Sequence, residues 1–363
     1  MSPRKVRDMP SSNFIDSADL RFHYLQEGGG SEAVILLHGF PQTSHMWRHQ
    51  IPVLSSQYAV YAPDTRGYGQ TDRPRIRLSR DLLARDVIDF MDALDIERAH
   101  LVGHDWGGII AFKAAIDHPE RFSRLALIDT LTSVWITWGI HGYWFKCEPR
   151  AEEFFERYHE QFIRSVFGGE QAGYGGPPDS PWAPVEGSEG SAALSDFDPT
   201  RFWTPADVDH YADAFSDPDC WFHAIEYYRH CLPFHIETPD PSARRGRRFE
   251  FRSSQQVARM WEHPDLLFSH PDFEHFMVFA PEDRHKQYPG PALYLFSPFL
   301  MPQAFVDGLP PDDYIPNGNP YADSFPLHLP DLRTRGAQCG HFIPEEAPER
   351  TNEVLSDFLA GRI

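Results

Sequence analysis

The chain has 363 residues, with 33 Lys or Arg against 53 Asp or Glu, a formal net charge of −20 at pH 7. Its 41% hydrophobic and 14% aromatic residues suffice for a packed core, which excludes a disordered chain, and an acidic balance with no basic run excludes an ordinary nucleic-acid binder. The length exceeds a domain of roughly 100 to 200 residues, so one large domain carrying an insertion is expected.

The opening "MSPRKVRDMPSSNF" has no apolar segment of the signal-peptide kind, and no uncharged apolar run approaches the roughly 18 residues of a membrane span. A cytoplasmic protein with no membrane partner is expected. "AVILLHGF" (33–40) is a short apolar run ending at a glycine turn, the pattern of a buried parallel strand, and "YAVYAPDTRGYG" (58–69) repeats it. "LSRDLLARDVIDFMDALDI" (78–96) has helical apolar spacing with charge on the other face. "AHLVGHD" then reads as a strand, "GGIIAFKAAIDHP" as a helix and "RLALIDTL" as a further strand. Alternation of this kind predicts an α/β fold with a doubly wound, mostly parallel sheet.

From Leu131 to about Ile236 the alternation gives way to aromatic-rich helical periodicity, as in "AEEFFERYHEQFIRSVF", interrupted by the Pro/Gly/Ser loop "GGPPDSPWAPVEGSEGS" (175–191). The sheet resumes with "PALYLFSPF" and "LRTRGAQCGHF", and "PERTNEVLSDFL" closes the chain as a helix. The expected division is a core of residues 1–130 and 285–363, a helical cap over 131–236, and an insert over 237–284 to which no architecture is assigned. No internal repeat is found. The four cysteines, Cys147, Cys220, Cys231 and Cys339, form no CxxC pair and read as reduced thiols. No metal site is expected from the 19 histidines.

The chemistry concentrates at "LVGHDWGGII". Gly103, His104, Asp105, Trp106 and Gly107 fit the pattern of a nucleophile elbow, a tight strand-to-helix turn whose glycines let the backbone pass closely and whose helix N-terminus offers N–H groups. The pattern alone is weak, but here it follows a strand, precedes a helix and comes 65 residues after Phe40 of "HGFP".

With "HGFPQTSHMWRHQIP", "DTRGYGQTDRP", "GHDWGG", "DHPERF" and "GHFIPEEAPE" in view, the chain resembles the aspartate-nucleophile branch of the α/β-hydrolase fold, which holds epoxide hydrolases and the haloalkane and haloacetate dehalogenases. The resemblance covers roughly residues 20–150 and 290–363. It implies an α/β-hydrolase fold with an inserted helical cap, a small-molecule substrate and no cofactor. A homodimer is entertained as the assembly, although nothing in the sequence sets it.

A carboxylate nucleophile suits attack on a saturated carbon bearing a leaving group, because the product ester is open to water in a second step. Asp105 therefore points to epoxide or carbon–halogen cleavage. The resemblance implies that His341 is the base for ester hydrolysis, with backbone N–H groups of Phe40 and Trp106 holding the oxyanion. The acid that orients His341 follows the seventh strand in epoxide hydrolases, where this chain offers only Ser297 and Pro298. Haloacetate dehalogenases carry it after the sixth strand, where Asp129 stands, and Asp129 is preferred to Asp283 and Asp307.

Leaving-group stabilisation is expected from the cap, with Tyr143 and Tyr228 as phenol donors and Trp144 as an indole donor or packing group. The arginines that clamp the carboxylate in haloacetate dehalogenases are replaced here by Trp106 and Ile109, which argues against a small anionic substrate. The reading is thus an epoxide hydrolase acting on an apolar or aromatic epoxide. The alternatives are a dehalogenase with the same Asp-His-Asp set and a non-catalytic ligand-binding protein of this fold.

Overall fold

The computed structural model describes residues 10–133, 145, 148–168, 201–232, 283, 285–298, 300, 312 and 320–363. Eight strands form one sheet: β1 (Ser11–Asp16), β2 (Arg21–Glu27), β3 (Ala33–Leu37), β4 (Ala59–Pro63), β5 (Ala99–His104), β6 (Phe122–Ile128), β7 (Ala292–Phe296) and β8 (Leu332–Gly336). Their order is β1-β2-β4-β3-β5-β6-β7-β8. The pairs β1/β2 and β2/β4 are antiparallel and every other neighbouring pair is parallel.

Period-two alternation along β3 explains why the sheet is covered on both faces. Ile35 and Leu37 enter one core with Leu83, Val87, Ile110 and Phe112, while Val34 and Leu36 enter the other with Trp47, Ile51, Leu355 and Phe358. The helices supplying those faces include α1 (Ile51–Leu54), α2 (Arg80–Ala93) and α3 (Trp106–Asp117). The 78–96 pattern begins as a helix at Arg80 because Ser79 is its N-cap, its hydroxyl accepting from Leu82 N at 3.2 Å.

Between β6 and β7, which lie side by side, the chain carries α4 (Arg150–Gly168), α5 (Pro205–Phe215) and α6 (Pro218–His230). Thr204 and Asp207 make a reciprocal capping box at the start of α5, and Asp217 caps α6. Arg229 of α6 pairs with Glu152 of α4. The helices α7 (Pro320–His328), α8 (Ile343–Glu346) and α9 (Pro348–Leu359) complete the described elements. Among the described residues no helix is long and apolar enough to cross a membrane, and no cluster of side chains could hold a metal ion. The 175–191 loop, Tyr143, Trp144, Cys147, Asp307 and, Asp283 apart, the 237–284 insert lie outside the described residues.

Candidate active site

The last residue of β5 is His104 and the first of α3 is Trp106, so Asp105 alone makes the turn between them. It does so at φ 50° and ψ −121°, a conformation that costs a non-glycine residue on the order of 1 to 3 kcal/mol and persists only where the surroundings enforce it. The glycines on either side make that possible. A Cβ on Gly103 would stand 2.2 Å from the Gly107 carbonyl oxygen, and one on Gly107 would stand 2.2 Å from that of Leu37. The turn is pinned by Asp105 N donating to Ile128 O at 3.2 Å and by Thr130 Oγ1 donating to Asp105 O.

The Asp105 carboxylate is oriented from two directions. Its Oδ1 accepts from Phe40 N at 2.8 Å, and Trp106 N–H adds a second backbone bond at the start of α3. Its Oδ2 lies 3.3 Å from His341 Nε2. On the far side of the ring, His341 Nδ1 is 2.8 Å from Asp129 Oδ2. Asp129 sits just past the end of β6, fully buried, and accepts from Ser297 N at 2.9 Å through Oδ1 and from Ser297 Oγ at 3.0 Å through Oδ2. The residue after β7 therefore clamps the Asp129 carboxylate.

Charge follows from this geometry. Burial opposes the imidazolium form of His341, but bonds to Asp105 and Asp129 outweigh it and push the ring up to about 10. Burial likewise disfavours the Asp105 anion, yet His341 and the Trp106 N–H hold its carboxyl below the usual carboxylate range. Burial raises the Asp129 carboxyl, with His341 and Ser297 opposing. The resting site is thus an imidazolium beside the Asp105 carboxylate.

The His341 loop has supports that sequence reasoning missed. Glu346 accepts from Gly340 N at 2.6 Å and Phe342 N at 2.9 Å, bracketing the histidine, and burial pushes its carboxyl up to about 7. His104 Nε2 donates to the His341 carbonyl at 2.9 Å, and burial lowers that ring to about 3, so it is neutral. The signal for Glu346 was available in "GHFIPEE", where a carboxylate at a helix start can reach back to N–H groups preceding it.

Around Phe40 lies an aromatic wall. The Phe40 ring meets Phe145 at 5.5 Å, Phe162 of α4 at 5.8 Å, Phe215 of α5 at 5.8 Å and Tyr228 of α6 at 5.5 Å. Tyr228 also lies 5.0 Å from Trp106. It therefore abuts both residues whose N–H groups hold Asp105. Its neighbour Tyr227 is committed elsewhere, donating to Arg66 O at 2.9 Å. Ile109 is buried in the same core. Asp283 is placed away from the histidine, buried against Arg80 and Lys113, with Lys286 at 3.1 Å.

Residues 32–172 match the family model described as alpha/beta hydrolase fold. The chain is 32% identical over 236 residues to epoxide hydrolase 4 of Mus musculus, covering 60% of each protein. It is 41% identical over 109 residues to a fluoroacetate dehalogenase of Burkholderia sp, covering 29% of this chain and 36% of that one. Among solved structures, epoxide hydrolase CorEH without ligand superposes with a TM-score of 0.64 at 19% identity, over 97% of this chain and 99% of that one. The protein has the α/β-hydrolase fold. Within that fold its sequence similarity runs to the branch of epoxide hydrolases and dehalogenases, although the match spans only 60% of the mouse relative's length.

Proposed function

We propose that the protein is an epoxide hydrolase that opens an apolar or aromatic epoxide to a diol through a covalent ester on Asp105. The observation that carries the reading is His341, set between Asp105 Oδ2 and Asp129 Oδ2 while Asp105 Oδ1 already sits on the Phe40 N–H. The two carboxylate oxygens have different roles. Oδ2 attacks the epoxide carbon, the carbon–oxygen bond breaks, and the leaving oxygen takes a proton from a phenol of the cap helices α4 to α6. Tyr228 fits that role by its place against Phe40 and Trp106, and Tyr143 is its proposed companion.

Oδ1 becomes the ester carbonyl oxygen without leaving the Phe40 N–H that will help hold it as an oxyanion. Esterification also removes the Asp105 charge, one of the two that hold the proton on His341. The Nε2 proton passes to the phenolate left when the cap tyrosine protonated the leaving oxygen, Nδ1–H stays bonded to Asp129, and Nε2 is free to deprotonate the water that attacks the ester carbonyl. Collapse releases the diol with that proton, and the Asp105 carboxyl proton returns to His341. The rings around Phe40 and Trp106 are uncharged, which favours a neutral substrate. The supporting comparison is the 32% identity to an epoxide hydrolase.

The test is intact-protein mass spectrometry on His341→Gln exposed to a panel of epoxides and organohalides, because loss of the base strands the ester. An adduct with the mass of a whole epoxide on Asp105 supports the proposal. An adduct lacking halogen would move the protein to the dehalogenases. No adduct on Asp105 from any epoxide would overturn the reading.

A further inference from the structure

The β1/β2 hairpin sets Phe14 opposite His23 and Ser12 opposite Leu25, so Ser12, Phe14 and His23 share one face at the edge of the sheet. The next pairing, β2 with β4, brings Tyr24 against Pro63, and Asp64 N donates to His23 O at 2.9 Å. Three side chains, none of them part of the Asp105 site, then line up. Ser12 Oγ is 2.8 Å from His23 Nε2, and His23 Nδ1 is 2.7 Å from Asp64 Oδ2.

Their protonation follows from the partners. Asp64 is buried, which favours its neutral form, but His23, His38 and the Ser44 N–H outweigh burial and hold it at about 2. It also accepts from Ser44 N at 2.8 Å and Gln70 N at 2.9 Å, so its position is fixed as firmly as that of Asp129. An ionised Asp64 can only accept, which places the imidazole proton on Nδ1. In the neutral ring Nε2 is then an acceptor, and the Ser12 hydroxyl donates to it. A nucleophile bonded to a base that a third group orients is the signature of an activated hydroxyl.

The His23–Asp64 pair alone would tie β2 to the loop after β4. That role does not require a serine on the remaining nitrogen, and Ser12 is exposed while His23 and Asp64 are buried. The surroundings favour an aromatic acyl donor. Phe14 is exposed two residues along the same face, its ring 5.2 Å from that of His23 and with the Arg21 guanidinium over it, 4.3 Å from the ring centroid. The side-chain amide of Gln70, also exposed, has Nε2 3.4 Å from His23 Nε2, and to it we assign the developing oxyanion.

We propose that Ser12, His23 and Asp64 form a second nucleophilic site that takes small activated aryl esters and is acylated on Ser12 Oγ. The Oγ–carbonyl bond forms as the Ser12 proton passes to His23 Nε2, and collapse of the tetrahedral adduct breaks the bond to the aryl oxygen, which departs with that proton. Water, deprotonated by His23, later releases the carboxylic acid. With a single amide as oxyanion donor, the second step is slow and acyl-Ser12 accumulates.

The experiment treats the full-length protein with p-nitrophenyl acetate and maps acetyl groups by peptide mass spectrometry. Ser11, the exposed neighbour whose hydroxyl donates to the Gln26 carbonyl instead of a histidine, is the internal control. Base assistance predicts Ser12 acetylation on the order of 10²-fold faster than at Ser11. It predicts the same excess in Asp105→Asn, a p-nitrophenolate burst reduced in Ser12→Ala, and a fall to the Ser11 rate in His23→Gln. Equal labelling of Ser11 and Ser12 in the unmodified protein overturns the proposal, and that comparison needs no variant to fold. Undiminished Ser12 labelling in His23→Gln would overturn it equally.

Discussion

Replacing Asp129 by Asn tests the link between the buried acid and the state of His341. The side chain has no room to choose its orientation. Ser297 N–H, 2.9 Å from Oδ1, is a fixed donor and demands the amide oxygen, whereas Ser297 Oγ, 3.0 Å from Oδ2, can turn and accept. The Asn NH2 group therefore takes the Oδ2 position, 2.8 Å from His341 Nδ1, and must donate to it. That forces the neutral ring to carry its proton on Nε2, the nitrogen that has to receive one from water. Inverting the tautomer costs roughly 10⁴-fold in rate in the serine-triad precedent, or about 5.5 kcal/mol of barrier. The loss should fall on ester hydrolysis, because the Asp105 carboxylate and its Phe40 contact are untouched. Single-turnover measurements with an epoxide should show the Asp105 adduct forming and persisting while diol release collapses. Wild-type turnover, or a variant that fails to form the adduct while remaining folded, would refute the argument.

Gly39→Ala would place a Cβ 2.4 Å from Asp105 Cβ and 2.6 Å from Oδ1, pushing the carboxylate off Phe40 N. The rate of adduct formation and hydrolysis together should fall on the order of 10²-fold, as for loss of one oxyanion donor, with stopped-flow and mass readouts. His341, raised from an unfolded value of about 6.5 to about 10, contributes stability that is fully present below about pH 6.5 and is lost as pH rises through about 10. The Tm gap between wild type and His341→Gln, followed by calorimetry, should therefore narrow across that window, and a constant gap would contradict the resting imidazolium. Lys113, buried on α3 against Asp81, Asp117 and Asp283, should cost about 3 kcal/mol on replacement by Met, read by urea denaturation, with adduct formation at Asp105 unchanged.

Much of the fold was legible because it rests on patterns with one physical meaning. The apolar run 33–37 has to be buried on both faces, and the 80–93 periodicity has a serine cap in front of it. The hairpin of β1 and β2 escaped notice because "SSNFID" and "RFHYLQE" are of mixed polarity, with β1 at the sheet edge and its exposure pattern alternating only between exposed and half-buried. At the site, Asp105 and His341 announce themselves through glycines and local motif, and Asp129 through its place after an apolar strand. The role of Ser297 was hidden for a different reason. A serine is read as too weak to serve as the triad acid, and only the adjacency of β6 and β7 shows it bonding the acid supplied by the neighbouring strand. The same limit applies to Ser12 and His23, 11 positions apart and joined by hairpin register rather than by any motif.

The two constellations differ in one respect that bears on what each can do. On the proposed mechanism the Asp105 nucleophile is itself an anion facing the histidine, so His341 becomes a base only after Asp105 has been esterified. That order keeps water from being activated before substrate is attached. In the Ser12 arrangement the proposed nucleophile is a neutral hydroxyl, which adds no second charge beside His23. Adding a charge there, by Ser12→Asp, would recreate the first situation on the sheet edge: His23 would lie between two carboxylates, its proton would be retained to higher pH, and acyl transfer from p-nitrophenyl acetate at that position would cease. A two-dimensional NMR titration of the His23 ring should show the upward displacement. An unchanged titration midpoint would mean that the histidine at position 23 does not sense the side chain at position 12, and the coupling argued for both sites would fail at the simpler one.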